Sequence, residues 1–164
     1  MDAKEIESLG ISPVKKLLNF VDSNDVTICL AFMLSQGCSS PFVLYDAPDS
    51  HNSKFTIAQL AQGGLGLPDC SYYMDADKKN IRRAYQSVIL DTFTALETQY
   101  KYFYKSRLGD IAQSVYDLEV KIARVHMNKI DRKDPYLTHN KMHIHQLQSA
   151  IRIIVKEKKC KVDF

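Results

Sequence analysis

Apolar residues recur along this chain at two distinct spacings, and most of them recur at the helical one. After Gly10-Ile11-Ser12-Pro13, the residues Val14, Leu17, Leu18 and Val21 form an apolar stripe. Ser12 fits the N-cap of that helix and Pro13 its first position. Asn24 or Asp25 can cap a second helix, carrying Val26, Cys29, Leu30, Met33 and Leu34 to a stop at Gly37. Ser39-Ser40-Pro41 breaks the pattern. Phe42-Val43-Leu44-Tyr45 and Phe55-Thr56-Ile57-Ala58 then read as short strands. The turn-rich segment from Asp46 to Ser53 separates them and predicts a two-stranded hairpin.

Further along, Ile81, Tyr85, Val88, Thr92 and Leu96 recur at steps of four and three and predict a long amphipathic helix. Tyr100, Phe103 and Tyr104 extend its face, and Gly109 is a natural end. Asp110 would cap the next helix, with Ile111, Val115, Leu118, Ile122 and Val125 as its stripe. Pro135 ends the region that follows. Leu147, Ile151 and Ile154 suggest one more helix before a basic tail containing Lys156, Lys158, Lys159 and Lys161. The expected fold is mainly α, amphipathic helices with one small β-hairpin. No internal repeat or low-complexity segment interrupts it.

Composition narrows the function classes. A length of 164 residues suits one domain with a sizeable core. A net charge of +3 is too mild to imply nucleic acid, and the basic tail reads as a solvated end. Cys29, Cys38, Cys70 and Cys160 show no C-x-x-C spacing, so no zinc ribbon or thioredoxin-like site is indicated. The longest apolar run, Val26 to Leu34, is nine residues, well short of the roughly 20 that span a bilayer. The N-terminus is charged and lacks the apolar core of a signal peptide, and no Asn-x-Ser/Thr acceptor occurs. From these features alone, no membrane segment or export signal is expected, and the location stays open.

The densest local signal is Gln62-Gly63-Gly64-Leu65-Gly66-Leu67-Pro68-Asp69-Cys70-Ser71-Tyr72-Tyr73. Three glycines in four positions permit φ > 0 or a close backbone approach. A dinucleotide loop would open a helix directly behind the glycines. Pro68 and Asp69 occupy that place, and no G-K-[ST] follows. A rigid structural turn is the better reading, with the tyrosine pair as its anchors.

That run resembles the Q-x-G-L-G-L-P-x-x-x-Y-Y signature of the neprilysin and endothelin-converting-enzyme family of zinc metallopeptidases. Other blocks agree in order. Gly10-Ile11-Ser12-Pro13 with Leu17 is similar to the family's first helix start, and Asp49-Ser50-His51-Asn52-Ser53 to its D-x-K-N-S turn. The stretch from Val115 to Ala123 resembles V-x-x-L-E-x-x-L/I-A. Arg132-Lys133-Asp134-Pro135 resembles R-R-D-P, and Asn140-Lys141-Met142 the end of Y-N-K-M. Departures are His51 for lysine, Cys70-Ser71 for Arg-Asp, and His139 for the tyrosine. The likeness fades past Ala150. It implies residues 1–150 as a partial N-terminal domain of a neprilysin-type peptidase, with 151–164 a basic tail of uncertain structure.

In such a family two helical lobes enclose a chamber and the missing half carries zinc. The resemblance therefore implies a truncated or partial zinc metalloendopeptidase, of a family that cleaves small peptides, with the catalytic half absent. The chain would start after the place of a membrane anchor and stop before the zinc site. No H-E-x-x-H occurs in the 164 residues. No catalytic, cofactor-binding or metal residues are expected, and no cofactor in this chain. His139 and His143, at i and i+4 with His145 close by, invite a metal reading. Asn140, however, stands where a general base is needed, and spacing suggests no third ligand. Glu97 and Glu119 read as structural carboxylates. The expected partners are peptides or a complementary catalytic lobe, not nucleic acid. The alternative is a free-standing, non-enzymatic module that binds peptides or a partner peptidase lobe.

Overall fold

The computed structural model describes residues 8–10, 12–38, 40–100 and 107–150, with the backbone alone at 13, 99 and 100. The chain divides into two compact units, Met1–His126 and Met127–Phe164. The expected apolar residues Phe103, Tyr104, Ile151 and Ile154, Cys160 and the basic tail lie outside the described residues.

The first unit opens with two helices, α1 (Ser12–Ser23) and α2 (Val26–Ser35). Both residues proposed for the α1–α2 junction are used there, for different ends. Asp25 caps α2, its carboxylate accepting from Thr27 N at 2.8 Å and Ile28 N at 3.1 Å. The Asn24 amide instead closes α1, donating to Phe20 O at 2.7 Å. Phe20 stacks on Phe32 with ring centroids 4.0 Å apart, which pins the two helices together. At the far end Gly37 holds φ +68. Cys38 N donates to Met33 O and Gly37 N to Leu34 O, the two bonds of a Schellman stop.

The hairpin is longer than the apolar runs predict. Strand β1 (Phe42–Pro48) pairs antiparallel with β2 (Thr56–Gln62), from Phe42 opposite Gln62 to Pro48 opposite Thr56. Backbone pairing carries the strands through Asp46, Ala47 and Gln59, which have poor strand propensity, and Pro48 is tolerated at a strand end. The connecting turn is built on Asp49, which is buried. Asp49 N donates to Phe55 O at 2.9 Å, and Asp49 Oδ1 accepts from His51 N at 3.0 Å. Asn52 repeats the device, its Oδ1 accepting from Lys54 N at 3.2 Å.

Behind the glycine run come a short helix α3 (Ser71–Met74), a 3₁₀ turn (Ala76–Lys78), and the long helices α4 (Lys79–Tyr100) and α5 (Leu108–Val125). Both long helices exist where periodicity puts them, but they turn different faces inward. The core is formed by Leu67, Tyr73, Ile89, Ala112, Tyr116 and Ala123, with Tyr85 and Phe93 packed against it. Of the expected stripes, Val88 is 58% exposed, Leu118 58% and Val125 83%. Each helix carries two apolar rows, and the row holding alanines on α5 wins. Ala112 and Ala123 let the helix approach the tyrosines and Phe93 closely, whereas branched residues there would overpack. Tyr73 and Tyr116 meet with centroids 6.1 Å apart. Gly109 and Asp110 also fall differently from expectation. Both lie inside the first turn of α5, whose cap position is Arg107, and Asp110 acts there as a first-turn acid.

In the second unit, a 3₁₀ turn (Asp131–Lys133) leads into a short helix α6 (Pro135–Thr138). Pro135 therefore starts a helix rather than ending a region, with Asp134 Oδ1 capping it through Tyr136 N at 2.8 Å. Residues 144–150 form a further helix, α7, which holds Leu147 as expected.

Candidate functional site

The glycine run is a turn fixed from three sides. Gly63 N donates to Pro41 O at 3.0 Å, tying it to the start of β1. A β-carbon on Gly63 would stand 2.8 Å from Ser40 O. Gly64 has φ +81, and a β-carbon there would also come within 2.8 Å of Pro41 Cα. Gly66 is needed for space alone: its φ is not positive, yet a β-carbon would fall on the Tyr85 hydroxyl and 2.6 Å from Tyr85 Cζ. After Pro68, Asp69 Oδ1 accepts from Ser71 N at 2.8 Å and starts α3. Arg82 closes the other end of α3, donating to Tyr72 O at 3.1 Å and Asp75 O at 2.6 Å.

The turn is gathered around one carboxylate, that of Glu119 on α5. Tyr73 donates its hydroxyl proton to Glu119 Oε2 at 2.5 Å and accepts from Leu67 N at 3.0 Å. Tyr85 on α4 donates to Oε1 at 2.8 Å and stands 3.0 Å from Oε2. Gly66 N completes the set at 3.3 Å from Oε2. Burial raises the pKa of Tyr73 and of Tyr85 well above the usual phenol value, and bonding to Glu119 adds to it. Both phenols therefore stay protonated donors at neutral pH. One side chain thus joins the turn, α3, α4 and α5.

Both carboxylate oxygens of Glu119 accept within the chain, Oε1 from Tyr85 and Oε2 from the two phenols and a peptide N–H. Glu97 lies half-buried near the end of α4. The three histidines belong to the second unit, and the proposed i, i+4 pair does not share a helix. His139 is the C-cap of α6, and 139–143 is not helical. His143 and His145 meet instead, with ring centroids 5.5 Å apart and planes 12° apart. The part played by Tyr85 was not visible in the sequence, where it read only as a stripe residue. The readable hint was an acidic residue, Glu119, one position after an apolar stripe residue, together with a turn that ends in paired tyrosines.

The first unit is thus a glycine turn clamped on two long helices beside a small hairpin. The chain belongs to peptidase family M13, whose N-terminal pattern matches residues 1–157. The neprilysin and endothelin-converting-enzyme resemblance is thereby confirmed. The chain is 24% identical over 160 residues to endothelin-converting enzyme 1 of Bos taurus and 23% identical to that of Homo sapiens, matching 91% of this chain in each. Among solved structures, Mycobacterium tuberculosis zinc metalloprotease Zmp1 in its open state superposes with a TM-score of 0.79 at 29% identity. That match covers 90% of this chain and 23% of Zmp1, and the inhibitor complex of Zmp1 gives a TM-score of 0.78. The chain spans about a fifth of the length of the curated relatives it matches, 21% and 20%.

Zinc is the metal such a family implies, and a catalytic zinc takes three protein ligands. Among the described residues, no three His, Cys, Asp or Glu side chains gather in one place. The Glu119 carboxylate faces hydroxyls and a peptide N–H. These residues do not fit a catalytic zinc centre. Nor is any described helix long and apolar enough to cross a membrane.

Proposed function

We propose that this chain serves as part of the N-terminal lobe of an M13 zinc metallopeptidase, as scaffold, and does not hydrolyse peptides by itself. The observation that carries this reading is the Glu119 clamp. The Glu119 carboxylate is engaged on both oxygens by side chains and a peptide N–H of the chain itself, Tyr73, Tyr85 and Gly66. The 164 residues also contain no H-E-x-x-H. In this reading small peptides are the substrates of the whole enzyme, and a complementary zinc-bearing lobe is the partner. Leu44 and Leu60 stand opposite each other on the hairpin and remain more than half exposed, which supports a surface awaiting cover. The same exposure is the one observation favouring the second reading, a non-enzymatic module that binds peptides or a peptidase lobe.

The test is purified protein with added zinc on a quenched-fluorescence peptide library. No cleavage sensitive to a chelator is expected. Turnover that disappears in Glu119→Gln or His143→Gln would overturn the proposal.

A further inference from the structure

We infer that the outer edge of β2 pairs with β2 of a second copy of this chain, antiparallel and about a two-fold axis at Gln59. Among the described residues the hairpin is the whole sheet, so each strand has one edge with no neighbouring strand. Asp49 N donates to Phe55 O at 2.9 Å just beyond one end of the ladder, and Gly63 N to Pro41 O at 3.0 Å just beyond the other. Bonded and non-bonded pairs alternate along an antiparallel ladder. Ile57, Gln59 and Ala61 therefore bond to β1, while Thr56, Ala58 and Leu60 turn N–H and C=O outwards. Thr56 and Ala58 are exposed, and Leu60 is 54% exposed.

The two edges are not alike. Natural edge strands are guarded by proline, charge or a bulge. On β1 two outward positions are guarded, by the charge of Asp46 and by Pro48, which has no N–H to give. Strand β2, Thr-Ile-Ala-Gln-Leu-Ala-Gln, has neither charge nor proline, and its register is unbroken. The β2 edge accepts a strand and the β1 edge refuses one. Assembly then closes at two copies as a four-stranded sheet rather than growing into a filament.

The residues of β2 specify which strand. Set antiparallel to itself about Gln59, β2 places Ala58 opposite Leu60 of the second copy and Thr56 opposite Gln62. On the other face Ile57 meets Ala61, and Gln59 meets its own counterpart. Each large apolar residue thus lies beside an alanine, and polar residues lie beside polar ones able to hydrogen-bond across the strands. No charge opposes a like charge. Centring the pair on Ala58 instead sets Leu60 beside Thr56 and Ile57 beside Gln59, apolar against polar. A contact one strand wide is small, so the dimer is a transient one.

The experiment is sedimentation velocity on the full chain from about 5 to about 500 μM, where monomer should pass into dimer with no larger species. Gln59→Lys and Gln59→Glu each oppose like charges at the axis and should raise the dimer dissociation constant at least about fivefold. Mixed in equal amounts, the two should dimerise again. Ala58→Pro removes an outward N–H and no β1–β2 bond, and should weaken the dimer at least about tenfold while circular dichroism stays unchanged. Amide exchange at Ala58 and Leu60 should slow as concentration rises, and exchange at Leu44 should not. A chain monomeric throughout would overturn the proposal and leave the edge to a strand of another protein. So would a dimer that the Gln59 variants and Ala58→Pro leave intact, or one that slows exchange at Leu44.

Discussion

Replacing Gly66 with alanine sets a methyl group against the Tyr85 hydroxyl and 2.6 Å from its Cζ. The backbone of the turn cannot retreat, because Gly66 N and Leu67 N are bonded to Glu119 and Tyr73. The Tyr85 ring must move instead, and its bonds to Glu119 at 2.8 and 3.0 Å go with it. A hydrogen bond to a charged acceptor is worth about 1.5–3 kcal/mol, and local overpacking adds about 1–3 kcal/mol. Part of this is recovered if the freed hydroxyl reaches water, so Gly66→Ala is expected to destabilise by about 2–4 kcal/mol. The assay is urea unfolding followed by circular dichroism, comparing midpoints at unchanged slope. A Tyr85→Phe background separates the two contributions. There the ring is no longer tethered, and the cost of the alanine should fall by the hydrogen-bond share, about 1.5–3 kcal/mol. A loss under about 0.5 kcal/mol, the range of an ordinary surface substitution, would refute the reasoning. So would equal losses in both backgrounds.

Gly64→Ala tests a different cause, φ +81 together with a 2.8 Å approach to Pro41 Cα. It should cost about 1 kcal/mol or more in the same assay, and Tyr85→Phe should leave that cost unchanged. Asp25→Ala removes the acceptor for two N–H groups at the start of α2, with an expected loss of about 0.5–2 kcal/mol by thermal or urea unfolding. Stability should also fall at alkaline pH. The pKa of Tyr73 and of Tyr85 is raised in the folded chain, so their contribution is whole below about pH 10, where unfolded tyrosine ionises, and is lost as pH rises further. Urea midpoints at about pH 8 and pH 11 should show the drop, and changing both residues to phenylalanine should flatten it.

Features decided within a few residues were legible in the sequence. The Asp25 cap, the Gly37 stop, the site of the hairpin and the two long helices all rest on local chemistry, and all stand where the residues imply. Features decided by partners far along the chain were not. Periodicity marks an apolar stripe but cannot choose between two on one helix. On α4 it selected Ile81, Val88 and Thr92, which are exposed, beside Tyr85 and the half-buried Leu96, and missed the buried Ile89. The choice depends on Ala112 and Ala123 of the other helix. Gly109 and Asp110 misled for a related reason: both have the composition of a boundary, yet α5 already includes them. At the candidate site the turn was legible as a turn. Its anchor was not, because Glu119 lies 53 residues from Gly66, 46 from Tyr73 and 34 from Tyr85.

Those separations also bear on how the chain is made. Synthesis proceeds at about 5–20 residues per second. With 53 residues between Gly66 and Glu119, the carboxylate emerges roughly 3–10 seconds after the turn that depends on it. During that interval α1, α2 and the hairpin can form from near neighbours, while Tyr73 and Tyr85 have no acceptor to commit to. The glycine turn is therefore assembled late although it is translated early. A stall or cleavage between α4 and α5 would release a nascent chain whose glycine turn keeps its bond to Pro41 but lacks the carboxylate that joins it to the helices.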